Sequence, residues 1–133
     1  MTVHRSLLPE GWKRPKGYAN GISAQGRMVF TAGVVGWDGE ECFAARDLAG
    51  QFRQILHNTL AILAEDGAGP EHIARMTWYV TSRDDYVASL PEIGAAYREL
   101  IGRNFPAMAV VEVSALVEPE ALVEIETIAV VPA

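Results

Sequence analysis

The sequence predicts an α+β domain built on one β-sheet, with two helices packed on the same face. Three observations lead to this fold class. The predicted elements follow the order β-β-α-β-α-β-β, so strand pairs alternate with two helices. One helical segment carries a long apolar stripe, and the last strand is apolar on both faces. A chain of 133 residues has the usual size of one compact core, so we expect a single domain over residues 1–133.

The amino-terminal quarter predicts an arm followed by two strands. Residues 1–18 are rich in proline, glycine and charge, and we expect them to form an extended arm. A short strand is predicted at Ala19–Ala24, and a turn at Gln25-Gly26 leads to a second strand at Arg27–Val35.

The clearest helix is predicted at Ala45–Ala64. Its apolar residues recur at spacings of three and four, which places them on one face. Glycines followed by Pro70 end the helix. The apolar stripe consists of Leu48, Phe52, Ile55, Leu56, Thr59, Ile62 and Leu63.

The second half of the chain predicts a strand at Ile73–Thr81 and a helix at Ser89–Ile101, which Gly102 and Pro106 end. Two strands follow, at Ala107–Ala115 and Ala121–Val131. The last strand carries large aliphatic residues on both pleat faces, and one small chain has no third layer to cover the second face. We therefore expect a second subunit to cover it. These aliphatic residues are Leu122, Ile128 and Val130 on one face and Val123, Ile125 and Val131 on the other.

The amino-acid composition argues against several classes of binding partner. A net charge of −6 argues against non-specific nucleic-acid binding, which needs lysine and arginine to neutralise phosphates. No apolar run approaches the roughly 20 residues of a spanning helix, and the amino terminus has no signal-peptide core. We expect a cytoplasmic protein without a membrane or nucleic-acid partner. Cys42 is the only cysteine, and the three histidines are scattered, so we expect no metal site.

Three glutamates lie within apolar strands: Glu112, Glu124 and Glu126. Carboxylates are costly to bury unless they are paired, hydrogen-bonded or protonated. Glu124 and Glu126 share one pleat face because their spacing is two. Two interpretations are open. The carboxylates pair with an arginine or with backbone donors at a subunit contact, or one of them serves as a general acid or base in a pocket.

Several segments resemble the Rid (YjgF/UK114) family, in order and over nearly the whole chain. The most specific are Phe105-Pro106-Ala107, Val111-Glu112-Val113 and the ending Val123-Glu124-Ile125-Glu126-Thr127-Ile128-Ala129-Val130. The resemblance implies a chorismate-mutase-like fold and a homotrimer whose sheets face inward, with three small-molecule clefts between subunits. It also implies hydrolysis of a reactive enamine or imine to a keto compound and ammonia, without a cofactor.

The resemblance also implies the residues of the cleft. Glu124 would orient the attacking water, and Tyr18 would complete the catalytic pair. The predicted substrate-binding residues are Thr31, Ala32, Gly33, Met108 and Val110.

One position departs from the family pattern. An arginine that grips the substrate carboxylate follows the Phe-Pro-Ala tripeptide in the family, whereas Met108 stands there in this chain. A thioether cannot replace a bidentate guanidinium. We therefore expect a substrate other than the simple 2-imino acids, with 2-aminomuconate as a candidate. The cations that could replace the arginine are Arg14, Lys16, Arg27 and Arg103.

Three functions remain open at this point. The first is a cofactor-independent deaminase of an enamine or imine. The second is a non-catalytic trimeric module that binds a small metabolite, which the missing arginine favours. The third is a ribonuclease, which the acidic charge and the absence of paired histidines argue against.

Overall fold

The computed structural model describes all residues 1–133 and contains a five-stranded mixed sheet. The last strand of the chain lies inside this sheet, where it pairs antiparallel with three others, and the remaining pair is parallel. The strands are β3 (Arg27–Phe30), β4 (Val34–Val35), β5 (Ile73–Val80), β6 (Ala107–Glu112) and β7 (Val123–Val131), with β5 between β6 and β7.

The amino-terminal arm forms a strand that the sequence did not predict. β1 (Arg5–Leu7) pairs antiparallel with β2 (Gly21–Ser23), which is shorter than the predicted strand at Ala19–Ala24. The backbone N–H of Ala19 donates to the carbonyl of Pro106 at 2.9 Å. This bond holds the end of the arm beside the start of β6.

The prediction of one continuous strand at Arg27–Val35 is wrong, because the structure has two strands there, β3 and β4, with an interruption between them. Phe30 aligns with Ile128 on β7, but Val34 aligns with Ile125, so the register shifts by one residue between them. Such an extra residue in one strand is a β-bulge.

Helix α1 (Leu48–Ala64) begins three residues later than predicted, because Asp47 caps it by accepting a hydrogen bond from the Gly50 N–H at 3.2 Å. The predicted stripe is buried, with the exception of Ile62, which is 42% exposed. Phe52, together with the rest of the stripe, forms the centre of the core against the sheet.

The helix predicted at Ser89–Ile101 is present with nearly those bounds, and a short helix that the sequence did not predict precedes it. Helix α2 (Arg83–Ala88) begins after Ser82, whose hydroxyl accepts a hydrogen bond from the Asp85 N–H at 3.1 Å. Acidic residues then occupy its first turn, where the helix dipole favours them. Helix α3 (Leu90–Leu100) follows, with a proline in its first turn.

The predicted fold class is confirmed: one sheet carries the helices on one face. We call this side the helix face. On β7 it bears Val123, Ile125 and Ala129, all fully buried. The opposite side, the open face, bears Glu124, Glu126 and Ile128, which are half-buried or exposed. β7 is therefore fully covered on only one of its two faces within a single chain.

Candidate active site

Glu124 lies on the open face near the middle of the sheet. It aligns with Val35 on β4 and with Tyr79 on β5. Its carboxylate lies over Gly33: a Cβ added at Gly33 would be 2.3 Å from Glu124 Oε2. Gly33 therefore leaves the space in which this carboxylate sits.

The β-bulge places backbone donors beside this carboxylate. Thr31 is fixed to β7, since its N–H donates to the Thr127 carbonyl at 2.9 Å and its hydroxyl accepts from the Thr127 N–H at 3.0 Å. The next two residues, Ala32 and Gly33, are exposed, and their N–H groups donate to no acceptor in the protein. We call Glu124 with Thr31–Gly33 the acidic half-site.

The other two strand glutamates have partners, and this separates them from Glu124. Glu112 accepts a hydrogen bond from the Arg83 N–H at 2.7 Å, where it holds the start of α2. Glu126 accepts one from the Tyr79 hydroxyl at 2.8 Å, and this bond raises the pKa of Tyr79. Glu124 makes no hydrogen bond and no ion pair, so its carboxylate is free to bind a water molecule or a substrate group.

Met108 and Val110 lie elsewhere, on the helix face of β6. They align with Met76 and Trp78 on β5, both of which are buried in the core. Together with Tyr18 at the end of the arm, they line a cavity of about 540 Å³ between β6 and the second and third helices. A cavity of this size suits a small-molecule ligand.

Aromatic side chains form much of the wall of this cavity, which we call the aromatic cavity. Trp78 contacts Tyr86 edge-on, with ring centroids 6.1 Å apart, and Tyr97 stacks on Phe105 at 5.9 Å. Burial raises the pKa of Tyr97, whose hydroxyl donates to the Asn104 carbonyl. Tyr97 is therefore a neutral wall residue. The full lining is Lys16, Gly17, Tyr18, Trp78, Tyr86, Leu90, Ile93, Gly94, Tyr97, Arg98, Phe105, Met108 and Val110.

The acidic half-site and the aromatic cavity, which we treat as the second half-site, do not meet within one chain. Glu124 aligns with Tyr79, which aligns with Val111 on β6, three residues beyond Met108. Strands lie about 4.8 Å apart and rise about 3.3 Å per residue, so the Cα atoms of Glu124 and Met108 are about 14 Å apart. Their side chains also point to opposite faces of the sheet, because residues of one parity face one side.

Of the four cations considered as replacements for the arginine, one reaches the aromatic cavity. Lys16 lines it, whereas Arg14 lines a smaller neighbouring cavity of about 200 Å³. Arg27 pairs with Asp66 instead, and Arg103 is exposed and lines neither cavity. Arg98 on α3 also lines the aromatic cavity, and sequence reasoning missed it.

A signal for Arg98 was present in the sequence. It lies four residues after Gly94 and next to Tyr97, so helical spacing places it beside the apolar face of α3. Apolar periodicity predicts a buried face for this helix from its apolar residues alone. The arginine is therefore not part of that predicted face.

The rest of the chain offers few candidates for a metal site or for a catalytic histidine or cysteine. No group of three or more histidine, cysteine, aspartate or glutamate residues lies close enough to hold a metal ion. His57 is exposed on α1, and His72 Nδ1 accepts a hydrogen bond from the Gly69 N–H. Cys42 is exposed in a loop. No helix is long and apolar enough to cross a membrane.

Comparisons with known proteins agree with this fold. The profile of the endoribonuclease L-PSP family matches residues 12–131. A RutC family protein of Pyrococcus horikoshii is 34% identical over 125 residues, which cover 92% of this chain and 94% of the relative. The crystal structure of the Rid family protein YyfB from Yersinia pestis superposes with a TM-score of 0.82 at 31% identity, covering 96% of this chain and 98% of that one. The YjgF gene product of E. coli superposes with a TM-score of 0.69 at 28% identity, covering 95% and 98%.

Proposed function

This chain belongs to the endoribonuclease L-PSP (Rid, YjgF/UK114) family, and from that premise we propose that it is a hydrolytic deaminase of a reactive enamine or imine. Membership of this family supports a deaminase or binding role toward a small molecule. In the proposed reaction Glu124 and Tyr18 act on the substrate, and no cofactor is required. The substrate differs from the simple 2-imino acids, because Met108 stands where the family pattern has arginine.

The observation that carries this proposal is the acidic half-site. An unpartnered carboxylate lies over Gly33, and the N–H groups of Ala32 and Gly33 donate to no acceptor in the chain. A carboxylate is the group that orients and deprotonates a water molecule. Donors beside it stabilise negative charge as it develops, and they need no reorganisation because the backbone fixes them.

The proposed reaction uses these groups in order. Glu124 accepts a proton from water while the water oxygen bonds to the imine carbon. The carbon–nitrogen double bond becomes single, and the nitrogen takes up the proton that Glu124 accepted, which returns the carboxylate to its starting state. The tetrahedral intermediate then loses ammonia as its carbonyl forms, so one water is consumed and one ammonia released. Tyr18 and the N–H groups of Ala32 and Gly33 hold the substrate during these steps.

We place the complete site between two copies of the chain, in a homotrimer whose sheets face inward. The open face supports this assembly, since Met28 is 56% exposed, Phe30 is 61% exposed and Val111 is 44% exposed on it. Exposed apolar patches of this kind mark association surfaces. A cyclic arrangement brings the acidic half-site of one copy to the aromatic cavity of the next.

The alternative is a non-catalytic module that binds a metabolite in the same cleft. The observation that favours it is the apolar lining around Met108, which offers binding volume without any carboxylate. This module would bind a ligand saturably and release no ammonia from any imine.

The experiment compares Glu124→Gln with Glu126→Gln. Ammonia release is followed with freshly generated imines, including 2-aminomuconate and 2-iminobutyrate. We expect Glu124→Gln to lower kcat by about 10²-fold or more, because a positioned general base contributes that much. Glu126→Gln removes the same charge from the same face and should retain activity. Equal activity in both variants would refute the assignment of Glu124. If the wild type turns over no imine, the non-catalytic binding module is the function that remains.

A further inference from the structure

The solvent end of the aromatic cavity carries two cations without partners. Lys16 and Arg98 line it, and both are exposed. Neither makes an ion pair, although four other arginines of this acidic chain do: Arg27, Arg46, Arg53 and Arg83. Two free cations at one cavity entrance form a local positive field that attracts an anion.

Gly94 gives the Arg98 guanidinium its position. A Cβ added at Gly94 would lie 3.2 Å from Arg98 Nη1, so the guanidinium lies along α3 directly over this glycine. Glycine is disfavoured in a helix interior relative to alanine, and the backbone of Gly94 does not have the positive φ that would require it. The glycine therefore lets the guanidinium lie close against α3, and a methyl group would shift it by only a few tenths of an ångström.

The interior of the cavity has the opposite character. Nine of its thirteen lining residues are hydrophobic, and Ile93, Phe105 and Met108 are among them. A charged group placed against this lining would lose its hydration without gaining a partner. The cavity can therefore accept one charge at its entrance and an apolar body inside.

We propose that the aromatic cavity binds a monocarboxylate with a large apolar, preferably aromatic, body. The carboxylate lies at the entrance against Arg98, with Lys16 nearby, and the body extends toward Met108. An arginine can hold a carboxylate through two parallel hydrogen bonds, which fixes its orientation.

This inference rests on the proposed function, because it names the substrate class of the same site. An imine carbon next to the carboxylate would then lie at the cavity entrance, where Glu124 of a second copy can reach it. A linear dicarboxylate such as 2-aminomuconate would have to place its second carboxylate in the apolar interior. We therefore expect imino acids with aromatic side chains to be better substrates than 2-aminomuconate.

The test measures binding separately from turnover, by isothermal titration calorimetry of the full chain. The probes are 3-phenylpropanoate, propanoate and 3-phenylpropanamide. We expect 3-phenylpropanoate to bind at least about tenfold more tightly than propanoate, because the phenyl group buries apolar surface. We also expect it to bind about tenfold more tightly than the amide, which lacks the charge.

Variants of the two entrance residues test the geometry. Arg98→Gln should weaken binding of 3-phenylpropanoate about tenfold, and Arg98→Lys should restore part of the loss. Gly94→Ala should raise the thermal midpoint and leave binding nearly unchanged, because the flexible guanidinium can yield by the few tenths of an ångström that the methyl group needs. Arg103→Gln makes the same charge change on a residue outside the cavity and is the matched control.

Equal binding of propanoate and 3-phenylpropanoate would overturn the inference. Equal losses of affinity for 3-phenylpropanoate in Arg98→Gln and Arg103→Gln would also overturn it, because they would show that only the net charge of the protein matters. Failure of the proposed function gives a different pattern. In that case Arg98-dependent binding of 3-phenylpropanoate persists, while the imine formed from phenylalanine releases ammonia no faster with the protein than with buffer.

Discussion

The two half-sites on this chain are built in opposite ways. The acidic half-site has a free carboxylate and two free N–H groups on an open sheet face, but it encloses no volume. The aromatic cavity encloses about 540 Å³ and carries cations at its entrance, but no carboxylate lines it. A carboxylate within that apolar lining would be costly to ionise. The carboxylate and the binding volume therefore lie on opposite faces of one sheet, and the proposed assembly has to unite them.

The largest expected effect comes from displacing the carboxylate of the acidic half-site without changing its chemistry. In Gly33→Ala the new Cβ would lie 2.3 Å from Glu124 Oε2, so the carboxylate has to move. We expect kcat for imine hydrolysis to fall about 10²-fold, which is the cost of a misplacement of roughly 1 Å. Binding of 3-phenylpropanoate in the aromatic cavity should be unchanged.

The matched control for this prediction is Gly39→Ala. A Cβ at Gly39 would meet no atom within 4 Å, and the backbone φ there is not positive. Unchanged kcat in both glycine variants would mean that the position of the Glu124 carboxylate does not matter for the reaction.

A smaller effect is expected in the aromatic cavity, from Met108→Arg. This variant places a guanidinium among Ile93, Tyr97 and Phe105. We expect the preference for aromatic over small 2-imino acids to fall about tenfold, since the new cation attracts the carboxylate into the interior. The thermal midpoint should fall as well, because burial of an unpaired charge is unfavourable.

Met108→Leu is the control, because it keeps the volume and apolar character of the side chain. Competition between the two imines in a single assay measures the preference directly. A preference that is the same in Met108→Arg and Met108→Leu would show that this position does not contact the substrate.

The smallest effect is expected outside both half-sites, in the helix layer. Arg53 on α1 pairs with Glu99 on α3, and its hydrogen bond and charge lower the pKa of Glu99. A carboxyl whose folded pKa is lowered stabilises the fold above its unfolded pKa, and the contribution is lost as the pH falls through the folded pKa. We expect Arg53→Gln to lower the thermal midpoint slightly at pH 7, because the pair is exposed. The difference from the wild type should vanish well below pH about 4.

The Arg53→Gln substitution should not affect either half-site. Arg53→Gln should keep the kcat of the wild type and its affinity for 3-phenylpropanoate at pH 7. A midpoint difference that grows on acidification would contradict the assigned ion pair.

Periodicity predicted the parts of this fold that depend on local pattern. The stripe of α1 is buried because spacings of three and four put it on one side of a helix, and only Ile62 falls outside the contact with the sheet. The bulge after Thr31 was missed because β-formers lie on both sides of it, although Gly33 inside a strand pattern is a signal for a bulge. Likewise, Glu112, Glu124 and Glu126 have the same sequence surroundings. Only the three-dimensional partners of the first and third single out Glu124.

The division of the candidate site could not be predicted from the sequence either. Tyr18 and Glu124 were assigned to one cleft through the family resemblance, and their assignment remains a proposal. The register of β5 with its two neighbours places Glu124 and Met108 in separate halves, and Tyr18 lines the cavity on the side of Met108. Arg98 was missed because apolar periodicity alone predicts the buried face of α3 and gives no weight to a cation beside that face.

Subunit complementation tests the central claim most directly. Glu124→Gln inactivates the acidic half-site, and Tyr18→Ala alters the aromatic cavity. We expect each variant alone to be inactive toward imines. After the two are unfolded and refolded together, random assortment in a cyclic oligomer should restore about a quarter of the wild-type activity, at interfaces that pair two intact halves. Activity that stays at the level of the separate variants would contradict a site shared between neighbouring copies.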